Sequence, residues 1–86
     1  MYRYVGTYET IQGRKKRRLK VTLENQTLLI AEKGKFQTIL EPKSDTIFQA
    51  KNLLPKAIVE FVMQENKVVQ ITINQGKDSL VWKKIE

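Results

Sequence analysis

Residues 19–31 are Leu19-Lys20-Val21-Thr22-Leu23-Glu24-Asn25-Gln26-Thr27-Leu28-Leu29-Ile30-Ala31, and they indicate a pair of strands. Leu19, Val21 and Leu23 alternate with polar or charged side chains, a period of two that is typical of a strand with one buried face. Asn25-Gln26 is a turn pair, and a second apolar run follows it closely. This stretch therefore predicts two antiparallel strands joined by a short turn.

The rest of the chain repeats this arrangement of short apolar segments separated by turn residues. We expect one strand before Gly13, in whose interior Gly6 would mark a bulge or a sharp bend. Further strands are expected within 36–40, 46–50, 67–74 and 79–85, with turns at 32–35, 42–45 and 75–78. In the segment 67–74, alternation places Val69, Ile71 and Ile73 on one face.

The segment 55–64 admits two interpretations. Pro55 would suit the first turn of a helix. The β-branched Ile58 and Val59, however, pack well in a sheet, and the neighbouring segments are all predicted strands. We therefore expect a strand, with Glu60 on its outer face as a solvated carboxylate.

The predicted elements add up to an all-β fold of about eight short antiparallel strands in a meander. Short connections favour antiparallel neighbours, because parallel pairs need crossovers of a dozen residues or more. A meander must also protect its two edge strands, which a closed or nearly closed barrel achieves. With 86 residues, of which 41% are hydrophobic, the chain can build one core. We expect residues 1–86 to form one barrel domain, a fragment of a longer chain.

The residue types that are missing argue against most enzyme chemistry. The chain has no Cys and no His, which excludes disulfides, thiolate or imidazole metal sites, cysteine nucleophiles and Ser-His-Asp triads. Ser44 and Ser79 are the only serines, and neither begins an S-x-x-K motif nor lies in G-x-S-x-G. The carboxylates are spread thinly and the glycines are isolated. We expect no catalytic residue, no metal and no cofactor in this chain.

The most conspicuous charge feature is a basic run that follows Gly13. It contains six of the 16 Lys and Arg residues, and the remaining 10 are nearly balanced by 9 acidic residues, so this run supplies most of the net charge of +7. The candidate contact residues are Arg14, Lys15, Lys16, Arg17, Arg18 and Lys20. We expect a turn that mutual repulsion keeps in solvent. Three interpretations stay open: a merely solvated turn, a contact for nucleic acid or another acidic polymer, and docking on an acidic protein face.

The aromatic side chains are expected inside the barrel. They are Tyr2, Tyr4, Tyr8, Phe36, Phe48, Phe61 and Trp82. Tyr2 and Tyr4 would lie on one side of a strand beside Arg3, an arrangement that suits nucleic-acid binding. A barrel of this size, however, needs its aromatics for the core. Small barrels are either filled or hollow, so an apolar pocket at the barrel mouth, which would carry a small ligand, stays a third possibility.

The ordered series of motifs resembles a known family. The matching pieces are Tyr4-Val5-Gly6-Thr7-Tyr8-Glu9, Leu19 to Asn25, Leu28-Leu29-Ile30, Leu40 to Ser44 leading to Phe48, Ile58 to Val62, Val68 to Gly76 and Trp82 to Ile85. They resemble the lipocalin-like β-barrel domain that lies C-terminal to bacterial serine β-lactamase-like hydrolases, which are similar to penicillin-binding proteins. Two features depart from that pattern: the first turn is more basic, and Asn25-Gln26 stands where Asn-Gly is common.

The resemblance implies a non-catalytic accessory domain that positions or contacts a catalytic domain of the same parent chain, or its substrate. It also implies a periplasmic or secreted location. No catalytic residue can be carried over, because the S-x-x-K motif of those hydrolases is absent here. The alternative function is a nucleic-acid or acidic-polymer binding module that uses the turn from Arg14 to Lys20. No apolar run approaches the ~20 residues that a membrane-spanning helix needs.

Overall fold

Antiparallel strands follow one another in chain order around a closed barrel in the computed structural model, which describes residues 2–32, 35, 37–51 and 55–86. The elements of the described residues are a short 3-10 helix, Tyr2–Tyr4, and the strands β1 (Gly6–Gln12), β2 (Lys15–Glu24), β3 (Thr27–Glu32), β4 (Gln37–Pro42), β5 (Ile47–Ala50), β6 (Ala57–Gln64), β7 (Lys67–Gln75) and β8 (Asp78–Lys84). Strand β8 pairs with β1, which closes the barrel. The predicted all-β meander is confirmed, and the barrel is closed.

Two of the turns have left-handed backbone at both central positions. Asn25 and Gln26, between β2 and β3, have φ of 50° and 65°, and Glu65 and Asn66, between β6 and β7, have φ of 52° and 64°. Positive φ at both positions is the pattern of the type I′ turn, whose twist matches that of the flanking strands. The turn predicted at Asn25-Gln26 is therefore confirmed, although a glycine is absent from it.

The segment with two interpretations is a strand. Strand β6 begins at Ala57, two residues after Pro55, and its buried positions alternate with less buried ones. Ala57, Val59 and Phe61 are buried, whereas Glu60 is exposed on the outer face as predicted. The chain therefore continues the meander here, and β-branched side chains line the barrel wall.

A β-bulge in β7 changes the predicted face of one residue. Val62 pairs with Gln70 and Met63 pairs with Val68, so Val69 has no residue opposite it. An extra residue in one strand resets the alternation of side chains. Val68 and Ile71 are consequently both buried, while Val69 is exposed. The prediction that Val69 shares the face of Ile71 is wrong for this reason.

The N-terminal residues differ from the expected strand. Tyr2–Tyr4 is a 3-10 helix, in which Tyr2 is 78% exposed and Tyr4 is 2% exposed, so the two tyrosines do not lie on one side of a strand. Gly6 is the first residue of β1 and not an interior one. A Cβ at Gly6 would collide with the carbonyl oxygen of Glu86, so glycine permits the C-terminal segment to pass close by.

Smaller differences concern the turns. Pro42, predicted to begin a loop, is the last residue of β4 and lies opposite Phe48. The predicted turn and strand positions Lys33, Gly34 and Phe36 lie outside the described residues.

Aromatic side chains fill one end of the barrel, which we call the closed end and which carries the turns 25–26, 43–46 and 65–66. The Tyr4 ring stacks on Phe61 with centroids 4.4 Å apart, and Phe48 meets both rings edge-on at 5.6 and 5.4 Å. The Tyr8 hydroxyl donates to the Tyr4 carbonyl oxygen at 2.8 Å, and the Tyr4 hydroxyl donates to the carbonyl oxygen of Asp45. The 3-10 helix is thereby held across this end of the barrel.

Burial of Tyr8 predicts a stability loss at alkaline pH. Burial raises the pKa of Tyr8 above its ordinary value, so as pH rises the unfolded chain releases this proton first, at about pH 10. The stability that Tyr8 contributes is therefore complete below about pH 10 and decreases as pH rises towards the folded-state pKa. Tyr8→Phe should flatten this part of the curve when the free energy of unfolding is measured by urea titration at several pH values.

At neutral pH, the free energy of unfolding of Tyr8→Phe should be about 1 kcal/mol lower than that of the wild type, because the hydrogen bond to the Tyr4 carbonyl is removed. Tyr2→Phe is the matched control, because Tyr2 is exposed. Loss of its hydroxyl should change neither the alkaline slope of the stability curve nor the free energy of unfolding at neutral pH. Identical alkaline slopes for the wild type and Tyr8→Phe would contradict this role of Tyr8.

Candidate functional site

The opposite end of the barrel, which we call the open end and which carries the turns 13–14 and 76–77, contains a cavity. Its volume is about 1090 Å³. Among the described residues, the apolar lining consists of Leu19, Ile30, Ala50, Ala57, Val59, Ile73, Leu80 and Trp82, and the polar lining consists of Gln12, Arg17, Glu32, Lys35, Gln37, Thr38, Gln75, Asp78 and Ser79. Six of the eight apolar side chains are buried, and most of the polar ones come from strand ends and turns at the open end. The site is thus an apolar cup with a polar rim.

Two small side chains account for part of the open space. Ala50 in β5 and Ala57 in β6 lie directly opposite each other, and both are buried and face the interior. At the closed end the corresponding inward positions carry Phe48 and Phe61. Strands β5 and β6 therefore supply large side chains at the closed end and methyl groups at the open end, so these two strands do not themselves fill the cup.

Arg17 is held at the side of the cup by three neighbours. Its Nε and one terminal nitrogen donate to the two carboxylate oxygens of Glu32, each at 2.7 Å, and its other terminal nitrogen donates to Gln12 Oε1 at 2.7 Å. The guanidinium also lies over the ring of Trp82, 5.2 Å from the centroid. This bidentate and stacked geometry is specific to arginine and fixes its orientation.

The Arg17–Glu32 pair remains ionised over the physiological pH range. The hydrogen bond from Arg17 holds the pKa of Glu32 below its usual value, although burial opposes this effect. The hydrogen bond to Glu32 likewise raises the pKa of Arg17, again against the effect of burial. Lys35 adds a second cation 3.5 Å from Glu32. The rim therefore carries fixed charges that largely neutralise one another.

Trp82 has an unsatisfied donor. Its side chain was predicted to be inside the barrel and is 2% exposed. Its Nε1 is buried and has no hydrogen-bond partner among the described residues. Leaving such a group unpaired typically costs about 1–3 kcal/mol, so each case needs an explanation.

The prediction that the basic residues from Arg14 to Lys20 form a turn is wrong for most of them. The turn contains Gly13 and Arg14 alone, and Lys15 already begins β2, which runs to Glu24. The type of the turn explains this: Gly13 has φ of 61°, and a glycine at the first central position is the pattern of a two-residue type II′ hairpin. Cross-strand pairing with β1 offsets the mutual repulsion of the basic side chains within the strand.

Strand alternation divides the six candidate residues into three groups. Arg14 lies in the turn. Lys15 and Arg17 occupy the alternate strand positions that face the barrel interior, in step with the buried Leu19. Lys16, Arg18 and Lys20 lie on the outer face and are exposed. The structure therefore does not bring the six side chains together as one site.

The outer basic residues form a row with one further lysine. The acidic residue Glu9 lies between Arg18 in β2 and Lys83 in β8, and its carboxylate accepts from Arg18 Nε at 2.8 Å. We call Lys16, Arg18, Lys20 and Lys83 the outer basic row. Exposed Ile11 and Val81 lie on the adjacent strands of the same face.

The two serines occupy ordinary positions. The Ser44 hydroxyl accepts from the backbone nitrogens of Thr46 and Ile47 and so closes the turn between β4 and β5. Ser79 is exposed at the rim of the cup. In the described part of the chain, Asp and Glu side chains form no group of three or more that could hold a metal ion. None of the helices described is long and apolar enough to span a membrane.

Comparisons with protein-family models, curated proteins and solved structures found no match. The geometry of the cup and of the outer basic row is therefore the basis for the functional argument.

The sequence contained a signal for part of the cup. Continuing the alternation of Leu23, Val21 and Leu19 backwards along the chain reaches Arg17, which the pattern places on the inner face. The partners of Arg17 come from β1, β3 and β8, and only the barrel register brings them together.

Proposed function

We propose that this chain is a non-catalytic binding barrel that takes up a small molecule with an apolar body at its open end. The observation that carries this proposal is the cavity of about 1090 Å³ with eight apolar side chains in its lining. Ligand sites are typically concave and mostly apolar, with a few polar groups that fix orientation, and their volumes are about 300–1,000 Å³. The open end is concave, and its volume of about 1090 Å³ is close to the upper limit of that range. Eight of its described lining residues are apolar, and the nine polar ones lie mainly at the rim.

The absence of reactive side chains supports a binding role over catalysis. The chain contains no His and no Cys, and the serine at the rim, Ser79, lies in none of the serine-nucleophile motifs. Two of the charged side chains that line the cup, Arg17 and Glu32, are engaged with each other. Binding and positioning are what this arrangement can supply.

We further propose that the barrel serves as an accessory domain of a serine β-lactamase-like hydrolase, as the ordered motifs suggest. The closed barrel agrees with the architecture that the resemblance implies. In such a chain the cup would hold the apolar part of a substrate or product beside a catalytic domain. This proposal depends on the resemblance, whereas the binding role depends on the cavity alone.

The binding proposal predicts uptake of an uncharged apolar fluorophore. N-phenyl-1-naphthylamine should gain fluorescence with the native protein and saturate at one site, because the cup would shield it from water. Ala57→Leu should weaken this binding by at least about tenfold by filling the cup, while its free energy of unfolding should not fall by the 1–3 kcal/mol that is typical of an overpacked core. Fluorescence titration and urea unfolding measure the two quantities.

Ala31→Leu is the matched control for Ala57→Leu. Ala31 lies in β3 between the inward-facing Ile30 and Glu32, so its side chain lies on the outer face. The control should bind the fluorophore as the wild type does. The proposal fails if the native wild type does not bind the fluorophore, or if both leucine variants bind it as well as the wild type.

A second candidate function is the binding of nucleic acid or another acidic polymer by the outer basic row. Its four cations share one face of β2 and β8, and Glu9 is the carboxylate that the registers place between two of them. Arg17 does not belong to this surface, because Glu32 and Gln12 hold it at the cup. Polyanion binding of this kind is electrostatic and needs no specific pocket.

This second candidate predicts a steep salt dependence. With four phosphate contacts, the logarithm of the association constant for double-stranded DNA should fall with the logarithm of salt concentration with a slope of about −3 to −4. The triple variant Lys16→Gln, Arg18→Gln, Lys20→Gln should remove most of that slope in a fluorescence-anisotropy titration. The charge-matched control is Lys56→Gln, Lys67→Gln, Lys77→Gln, at exposed positions elsewhere. Equal weakening in the two triple variants would exclude the outer basic row as the site.

A further inference from the structure

We infer that the outer basic row, together with the exposed side chains of Ile11 and Val81, forms a surface that docks on an anionic lipid bilayer. The contact is peripheral, with the cationic groups at the level of the lipid phosphates and the two aliphatic side chains at the boundary of the acyl chains. This inference concerns the outer face of the barrel and does not depend on the cup. It assigns to the outer basic row a different partner from the acidic polymer of the second candidate function.

The strand registers bring the two aliphatic side chains next to the outer basic row. Ile11 of β1 lies directly opposite Lys16 of β2. Continuing the register between β1 and β8 by two residues places Val81 on the other side of Ile11. The Thr10 hydroxyl donates to the Val81 carbonyl oxygen at 2.7 Å, in agreement with that placement. Lys16, Ile11 and Val81 therefore form one line across three strands.

Both aliphatic side chains point away from the core. The residues that precede and follow each of them along the chain face the barrel interior, so strand alternation places Ile11 and Val81 on the outer face. Ile11 is 63% exposed and Val81 is 45% exposed. Exposed aliphatic side chains that occur singly need no explanation, whereas these two adjoin each other and a row of cations.

The charge of this face is positive and only partly neutralised. Lys16, Arg18 and Lys20 take alternate positions of β2, so neighbouring members are about 7 Å apart, within the Debye length of about 8 Å, and repel one another. Glu9 is the acidic residue that the registers place among them, and it pairs with Arg18 at 2.8 Å. With Lys83, four cations surround this one described carboxylate. An anionic bilayer would relieve the repulsion, because each Lys or Arg near its surface is attracted to it.

The aliphatic side chains favour a bilayer over a nucleic acid. Contacts with phosphates need only cations, and single-stranded bases are held largely by stacking on aromatic rings. Among the described residues on the outer face of β1, β2 and β8, none is aromatic. A phosphate backbone offers Ile11 and Val81 no apolar partner. At the boundary of a bilayer, by contrast, their burial adds to the electrostatic attraction.

The composition of the face also argues against a protein partner. The core of a protein–protein interface is depleted in charged residues and enriched in aromatic ones, and Lys is among the depleted types. Three of the four cations in the outer basic row are lysines. A second copy of this chain does not suit the face either, because two surfaces of the same positive charge repel each other. A laterally mobile layer of anionic headgroups is the occupant that fits.

Co-sedimentation with lipid vesicles tests the electrostatic part of the inference. The protein should bind vesicles of phosphatidylcholine that contain about 30% phosphatidylserine, and it should bind pure phosphatidylcholine at least about tenfold more weakly. The triple Gln variant of the outer basic row should lose about 100-fold in affinity for the anionic vesicles, since each basic residue contributes about fivefold. Its charge-matched control should lose far less, because the three lysines replaced there lie elsewhere on the barrel.

The double variant Ile11→Thr, Val81→Thr tests the aliphatic part. Threonine keeps the β-branched shape that suits a strand and replaces an apolar group by a hydroxyl. The double variant should bind the anionic vesicles about tenfold more weakly, because less apolar surface is buried. Any affinity for double-stranded DNA should stay the same. The matched control is Ile39→Thr, Val69→Thr at exposed positions of β4 and β7, and it should bind the vesicles as the wild type does.

The wild-type protein supplies a measurement that does not depend on the folding of any variant. In small bicelles of the same lipids that contain a nitroxide-labelled lipid, the methyl signals of Ile11 and Val81 should broaden more than those of Ile39 and Val69. The relaxation effect of the nitroxide falls steeply with distance, so the broadening identifies the face that contacts the lipid.

Several outcomes would overturn the inference. It fails if the wild type does not bind the anionic vesicles at about 0.15 M salt, or if the two triple Gln variants are weakened equally. If the threonine double variant binds the vesicles as tightly as the wild type, the attraction is electrostatic alone and the lipid assignment fails. Displacement from the vesicles by double-stranded DNA at an equal phosphate concentration would assign the face to nucleic acid instead. The cup is tested separately by the fluorophore titration.

Discussion

The pairing of β1 with β8 is the constraint on which the rest of the structure depends. Tyr8 and Glu9 lie opposite Lys84 and Lys83, and Ile85 and Glu86 continue the contact through hydrogen bonds with the backbone of Thr7. Without this pairing the meander would be an open sheet with two edges and no enclosed interior. Gly6 permits the close approach of the C-terminal segment at this point. The cup at the open end exists because the sheet returns to its first strand.

Closure alone does not produce a cup, because a small barrel can equally be filled by its own side chains. Here the two ends differ in side-chain size. Tyr4, Phe48 and Phe61 pack against one another across the closed end, while Ala50 and Ala57 face each other at the open end. The aromatic end supplies a packed core, whereas the small side chains of β5 and β6 leave space between the described residues of the open end. On the proposed function, the residues that stabilise the barrel and those that would contact a ligand therefore lie at opposite ends of it.

The sequence predicted the architecture well, and it predicted the site only in part. The alternation of apolar and polar residues, together with the turn residues between the segments, was sufficient to predict the strands, including β6. A period of two is a local property of the sequence. The bulge at Val69 was not visible, since it is defined by the register between β6 and β7. The basic run was predicted to be a turn from its charge, whereas its alternation continues that of Leu19, Val21 and Leu23 and belongs to β2. Its inward member, Arg17, meets Glu32, Gln12 and Trp82 only through the closed register of β1, β2, β3 and β8.

The binding proposal implies that a ligand enters the open end and stops at the aromatic side chains of the closed end. Methyl NMR with the naphthylamine fluorophore tests it most directly, since the aromatic ring of the probe shifts the methyl signals that it contacts. The account predicts shifts at the cup residues Leu19, Ile30, Val59, Ile73 and Leu80 and none at the closed-end residues Val21, Leu28, Leu40 and Val68. Shifts concentrated on the outer face, at Ile11, Ile39 or Val81, or spread evenly over both ends, would contradict it.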